Sequence, residues 1–200
     1  MLVVKLEQGS EEWFEEKLGK PSASNCSKII TNEGKKSTQR KGYLYELAGE
    51  IITKRREDGY KNKFMEGGNE REEESRTYYE LITGTEVEPV GVIYKNKEKK
   101  FLCSPDGIVT DQKIGLEMKN PIAKTQVQYL LEQRVPTIYM PQIQFSLYVT
   151  GFKHWDFLSY VPDMKPLLIR VERDKEFIAK LDEALKVFCA DLDNIVNQIK

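Results

Sequence analysis

Residues 101–121 place the tightest constraint on what this chain can fold into. Two strand-like runs, 101–110 and 115–119, flank a turn at Asp111-Gln112-Lys113. Asn120-Pro121 stops the second run because proline removes a ladder donor. Period-two geometry puts Glu117 and Lys119 on one face of the sheet and Met118 on the other. The turn folds the second run back beside Asp106, bringing two carboxylates and one ammonium to one place.

The rest of the pattern supplies the frame. Ser10 opens a helix that places Trp13, Phe14 and Leu18 on adjacent turns, and Ser22 is positioned to cap a second helix reaching about Ile30. Residues 32–41 lack periodicity and read as a mobile loop, and a helix over 42–56 follows. Asp58-Gly59 marks a turn. A longer helix spans 63–82, ended by Gly84. The period then switches to two, with a first strand through Val87, Val90, Val92 and Tyr94. After the 101–121 unit come helices over 125–133 and 138–150, then strands over 154–161 and 167–172 joined by a hairpin turn. An amphipathic helix starting at the N-cap Asp174 closes the chain. The expectation is a single domain over 1–200, of α/β (α+β) class, with a central mixed β-sheet flanked by helices and a helical N-terminal region.

Composition narrows the chemistry. At 40% hydrophobic residues, with 31 Lys and Arg against 32 Asp and Glu, the chain is neither a disordered tail nor a DNA-coating basic protein. No apolar run approaches the roughly 18 to 20 residues that span a bilayer, and the N-terminus turns acidic too soon for a secretion signal, so a soluble cytoplasmic protein is expected. Cys26, Cys103 and Cys189 lack metal-site spacing and read as buried thiols. His154 is the only histidine, which argues against Ser-His-Asp hydrolysis and HExxH metalloproteases. An enzyme built from this chain works with carboxylates, lysine and oxygen-seeking metals.

Asp106, Glu117 and Lys119 match that requirement. Two carboxylates about 4 Å apart repel by roughly 4 kcal/mol at an effective dielectric near 20, so such a site favours a divalent cation. Oxygen donors suit Mg²⁺ or Mn²⁺ and not zinc. Such an ion polarises a phosphoryl oxygen and acidifies water, while Lys119 positions or helps deprotonate that water and balances charge on the phosphate. Phosphodiester hydrolysis demands removal of on the order of 20 kcal/mol of barrier, which metal plus fixed cation supplies economically.

An ordered series of motifs carries a family resemblance across most of the chain. It comprises Trp13, Lys17 and Gly19 followed by Ser22-Ala23-Ser24; Gly68 and Glu72; Arg76, Thr77, Tyr79, Thr83 and Gly84; Ser104-Pro105-Asp106-Gly107; Glu117-Met118-Lys119-Asn120-Pro121; and Tyr139 through Gln142 and Gln144 to Tyr148. The set resembles the lambda-type phage exonucleases, the YqaJ viral recombinase family, within the PD-(D/E)xK nuclease superfold with its restriction-endonuclease-like core. The resemblance implies that Asp106, Glu117 and the Met118 carbonyl hold a metal ion, that Lys119 is the catalytic lysine, and that Glu72 holds a second ion or its water. It implies that Gln142 lies near the active site. On a helix Gln144 points about 200° away from it, so only one of the two faces the metal. Ser24 and Lys17 match positions that bind a 5′-phosphate, although the family more often carries arginine where Lys17 stands, and lysine lacks the bidentate fork.

The resemblance further implies a Mg²⁺-dependent (or Mn²⁺-dependent) 5′-to-3′ exonuclease with two ions, acting on double-stranded DNA ends. It would leave 3′ tails for a single-strand annealing protein of a phage recombination system. A homotrimer ring and the cytoplasm of a bacterial host belong to the same picture. Met65 is a candidate for splaying the terminal base pair. Independently of the family, nine basic residues between Gly34 and Lys63, among them Lys35, Lys36 and Arg40, face four acidic ones and offer a DNA track of about +5. The alternatives are a structure-specific or repair endonuclease on the same core, or a non-catalytic DNA-binding module.

Overall fold

The structure is a computed structural model that describes residues 1–56 and 68–200. Met65, Lys61, Lys63 and the Asp58-Gly59 turn lie outside the described residues. Strands β1 (Leu2–Val4), β2 (Val92–Tyr94) and β3 (Leu102–Cys103) form an antiparallel sheet in that order. A second sheet runs β4 (Gly107–Val109), β5 (Ile114–Lys119), β6 (His154–Ser159), β7 (Leu167–Glu172), with β5 and β6 parallel and the other pairs antiparallel. This four-stranded sheet is the expected mixed one. Helices α5 (Ala123–Glu132) and α6 (Met140–Thr150) supply the crossover that the parallel β5–β6 pair requires.

Several strands differ from the sequence reading. The run expected over 101–110 divides into β3 and β4, which belong to different sheets. Pro105 cannot donate to a ladder, so the chain turns at Ser104-Pro105-Asp106 and changes partners. The run from Val87 contracts to β2, because Pro89 interrupts it and Glu88 keeps only an isolated bridge to Ile108. Strand β1 was not foreseen, since three residues are too few to show a period.

The helices follow the signals more closely. Ser10 Oγ accepts from Trp13 N at the start of α1 (Glu11–Lys17). Ser22 does not cap a helix. It is extended, bridges to Leu102 and shares its hydroxyl with Ser24, so a short 3-10 turn (Ala23–Asn25) precedes α2 (Cys26–Ile29). The expected loop over 32–41 is a tight turn, with Thr31 N donating to Lys35 O at 2.8 Å and a bridge between Ile30 and Lys36. Helices α3 (Arg40–Thr53) and α4 (Gly68–Thr83) follow, and α4 stops at Gly84, whose φ of +66° suits glycine. Asp174 caps α7 (Lys175–Ile199) by accepting from Phe177 N at 2.9 Å.

Two layers sandwich the four-stranded sheet. Helix α6 is buried nearly all round, with Ile143, Phe145 and Leu147 fully enclosed against Phe157 and Cys103. Helix α7 closes that side with Leu181, Leu185 and Phe188, each contributing about 1.5–3 kcal/mol by burial. On the opposite face Tyr79 of α4 packs with Leu116, Met118 and Leu158. Among the described residues no helix is long and apolar enough to cross a membrane.

Candidate active site

Asp106 hangs from the corner between the two sheets. Its backbone N donates to Leu116 O at 3.1 Å, and its carboxylate accepts from Met118 N. Both contacts lie on the β4 side of β5, so the Met118 carbonyl, which shares that side with its own N–H, also faces Asp106 beyond the end of the ladder. The Met118 side chain points to the α4 face, where its sulfur meets Ser75 Oγ at 3.4 Å. Glu117 and Lys119 occupy the α6 face and form an ion pair there, as period two requires.

Glu117 is 2% exposed at its side chain and has both oxygens engaged. Lys119 Nζ donates to Oε1, and Gln142 Nε2 donates to Oε2 at 2.7 Å. Burial pushes the Glu117 carboxyl up to about 7, despite the Lys119 charge and with Asp106 adding repulsion. Burial likewise raises Asp106, against the pull of Lys119 and the Met118 hydrogen bond. Burial lowers Lys119, but Glu117 and Asp106 outweigh it and hold the ammonium above its ordinary range. Gln144 takes no part: it bonds Glu172 O and accepts from Asp174 N, so it fastens α7, as the helical spacing indicated.

Glu72 stands on α4 and reaches the site from the other side of the sheet. It shares a cleft of about 550 Å³ with Asp106, Arg76, Gln8 and Lys5. Burial raises its carboxyl, and Asp106 adds to the rise. Arg76, one turn on, lies 3.5 Å from Glu72 Oε1. Among the described residues no three His, Cys, Asp or Glu side chains close into one cluster, so the three acids flank the corner without converging on a point. The donor set nonetheless fits a hard divalent cation: buried carboxylates that repel one another, a backbone carbonyl beside them and no soft ligand.

A second, smaller pocket of about 110 Å³ brings Lys17 and Ser24 together with Lys20, Asn25 and Arg56. Lys17 Nζ lies 3.5 Å from the Trp13 ring centre, and burial, with Arg56 adding repulsion, lowers it to about 8. The family resemblance pointed to Lys17 and Ser24, and Arg56 counted among the basic residues of the expected DNA track, whereas Lys20 and Asn25 reach the pocket only through the fold. Arg40 departs from its expected place on a DNA track. Its guanidinium turns inward against the Phe188 ring and lies 2.8 Å from Asp191 Oδ2, in ionic contact without hydrogen-bond geometry. An arginine on the buried face of α3 serves α7 instead. Lys35 and Lys36 are exposed on the turn before α3 and line neither pocket.

Sequence and fold both resemble known nucleases. Residues 12–153 match the YqaJ-like viral recombinase domain. The chain resembles the crystal structure of an alkaline exonuclease, LHK-Exo, from Laribacter hongkongensis, with 30% identity and a TM-score of 0.84 over 95% of this chain and 96% of that one. The same protein in complex with dAMP gives 31% identity and 0.85 over 96% of each chain. A phage related exonuclease from Haemophilus somnus 129PT, 16% identical, shares the fold at a TM-score of 0.70 over 90% of this chain and 96% of that one. The ExoD protein of Escherichia coli (strain K12) is 30% identical over 70 residues, 34% of this chain and 80% of ExoD. The alkaline exonuclease fold with its PD-(D/E)xK-like core is therefore present, and the chain belongs to the YqaJ-like viral recombinase domain family.

Proposed function

We propose that this nuclease is a Mg²⁺-dependent exonuclease, also served by Mn²⁺, that degrades one strand of double-stranded DNA from its 5′ end. The observation that carries the reading is the Asp106 corner set against Glu117 and Lys119, with the Met118 backbone between them. Asp106, Glu117 and the Met118 carbonyl would hold one ion, and Glu72 would hold a second or its water. When bound, such an ion polarises a phosphoryl oxygen and makes water acidic enough to attack. Lys119, which donates to Glu117, would balance charge on the phosphate and orient the water, and Gln142, which donates to the other Glu117 oxygen, would keep that carboxylate from turning away.

The pocket lined by Lys17, Lys20, Arg56, Ser24 and Asn25 suits a terminal phosphate, since its three cations outnumber its two acids, Glu46 and Glu50, which accept from Lys28 and from Gly19 N. That supports a 5′ start. The dAMP bound to LHK-Exo supports release of deoxynucleoside monophosphates here. The family reading adds a ring of three subunits around the duplex and a 3′ tail handed to a single-strand annealing protein in phage-type recombination. Enclosure of this kind makes digestion processive without tight binding.

Linear duplex, with and without a 5′-phosphate and labelled at either end, tests the reading in the presence of Mg²⁺. Mononucleotides are expected from the 5′ end only, with closed circular DNA left intact. Cutting of the circle points to an endonuclease, and no metal-dependent release at all overturns the reading. Mass in solution tests the trimer.

A further inference from the structure

Asp106 bonds β5 through its own N–H, but the two residues before it, Ser104 and Pro105, belong to neither ladder. Strand β3 ends at Cys103 in one sheet, β4 begins at Gly107 in the other, and Pro105 has no N–H to anchor the passage between them. Two side chains near the N-terminus do the anchoring. Gln8 Nε2 donates to Pro105 O at 2.7 Å and to Val90 O at 2.8 Å. Trp13 Nε1 reaches Ser104 Oγ and Gly91 O, each at 3.0 Å, and Ser104 Oγ donates to the same Gly91 carbonyl. The arm carrying Gln8 passes so close that a Cβ on Gly91 would stand 2.7 Å from Leu6 N and O, which only glycine permits.

The chemistry at Gln8 is specific to an amide. Both of its N–H groups point at carbonyl oxygens, one on each side of the gap. A carboxylate there would meet those two oxygens with no proton to share, and a shorter side chain would not span them. Gln8 also lines the 550 Å³ cleft together with Asp106 and Glu72, so the clip forms a wall of the site itself.

We infer that Gln8 is a positioning residue for the nuclease centre: by tying Pro105 to the Val90 segment, it fixes the backbone from which Asp106 hangs and so sets the affinity of the site for a divalent cation. The inference rests on the metal-dependent reading above. Partners that orient a ligand from behind typically change metal affinity by about 10- to 100-fold when removed. Gln8 acts on Asp106 through the backbone, so the lower end of that range applies.

The test is Mn²⁺ binding to the full-length protein by calorimetry, with Gln8→Glu, Gln8→Met and Asp106→Asn beside wild type. Gln8→Met keeps the length and loses only the donors, and it gives the comparison if Gln8→Glu fails to fold. Weakening of Mn²⁺ binding by about tenfold in the Gln8 variants is expected, with kcat lost at limiting Mn²⁺ and restored at high Mn²⁺, and KM for DNA ends unchanged. Wild-type Mn²⁺ affinity in Gln8→Met, whatever its Tm, reduces Gln8 to a structural brace and overturns the inference while the nuclease reading stands. Wild-type affinity in Asp106→Asn as well removes the metal site on which both depend.

Discussion

The Lys17 ammonium lies 3.5 Å from the centre of the Trp13 ring, while the edge of the same indole bonds Ser104 and Gly91. One side chain therefore touches both the cationic pocket and the corner that carries Asp106. Its face serves the first and its N–H the second. Replacing Trp13 by Phe separates the two roles. Loss of the N–H bonds is expected to cost about 1 kcal/mol, because Ser104 Oγ still satisfies the Gly91 carbonyl. For a chain of this size that lowers Tm by about 2–4 °C, measured by thermal unfolding. Trp13→Ala removes the ring as well and is expected to raise KM for 5′-phosphorylated ends in addition.

Lys17 gives the site a pH signature. Burial, with Arg56 adding repulsion, lowers its ammonium to about 8, so it is charged below that pH and loses its charge above it. KM for 5′-phosphorylated ends should rise above pH 8, and Lys17→Arg should flatten the rise because guanidinium stays charged. The sign for stability is opposite. Between about 8 and the ordinary lysine value the unfolded chain binds more protons, so this group's contribution to stability increases with pH. Steady-state KM and Tm measured across pH 7–10 check both directions.

Removal of single groups at the corner is expected to silence the enzyme without unfolding it. Asp106→Asn, Glu117→Gln and Lys119→Met should each lower metal-dependent nucleotide release by about 10³-fold or more, since each removes several kcal/mol of charge stabilisation. Circular dichroism and Tm provide the control. Gln142→Ala should cost less, about 10- to 100-fold, because it orients Glu117 and does not itself meet the phosphate.

Divalent ions should stabilise the fold. Asp106 repels both Glu117 and Glu72, and a cation would relieve that repulsion. At 100 times its Kd an ion adds about 2.7 kcal/mol, a rise in Tm of about 5–10 °C for a protein of this length. Chelation should reverse the rise, and Asp106→Asn should abolish most of it.

Arg40 should prove structural. Arg40→Ala takes a cation from the Phe188 ring and from the half-exposed Asp191, a loss of about 1–2 kcal/mol, and lowers Tm while leaving KM for DNA ends unchanged. Lys17→Ala should do the reverse, raising KM about tenfold with little change in Tm.

How much of this was legible depended on how local each cause is. The helix starts at Ser10 and Asp174, the stop at Gly84 and the shared face of Glu117 and Lys119 follow from periodicity and capping, which act within a few residues. Gln142 and not Gln144 turns to Glu117 because a helix sends them apart. The break at Pro105 was written in the sequence, yet the change of sheet it permits was not, because partner choice is settled by distant strands. Arg40 misled for the same reason: a basic cluster records charge, while the direction of one guanidinium depends on α7, which lies 151 residues away at Asp191. Gln8 gave no signal, since its acceptors are 82 and 97 residues distant.

The two partners on the Glu117 oxygens carry a consequence for the life of the protein before it meets any ion. Lys119 and Gln142 already quench the most deeply enclosed acid of the site. A newly made chain therefore has partners for that acid without any ion, so folding would not have to wait for one. On the metal-dependent reading, loading would be an exchange of partners at a finished scaffold.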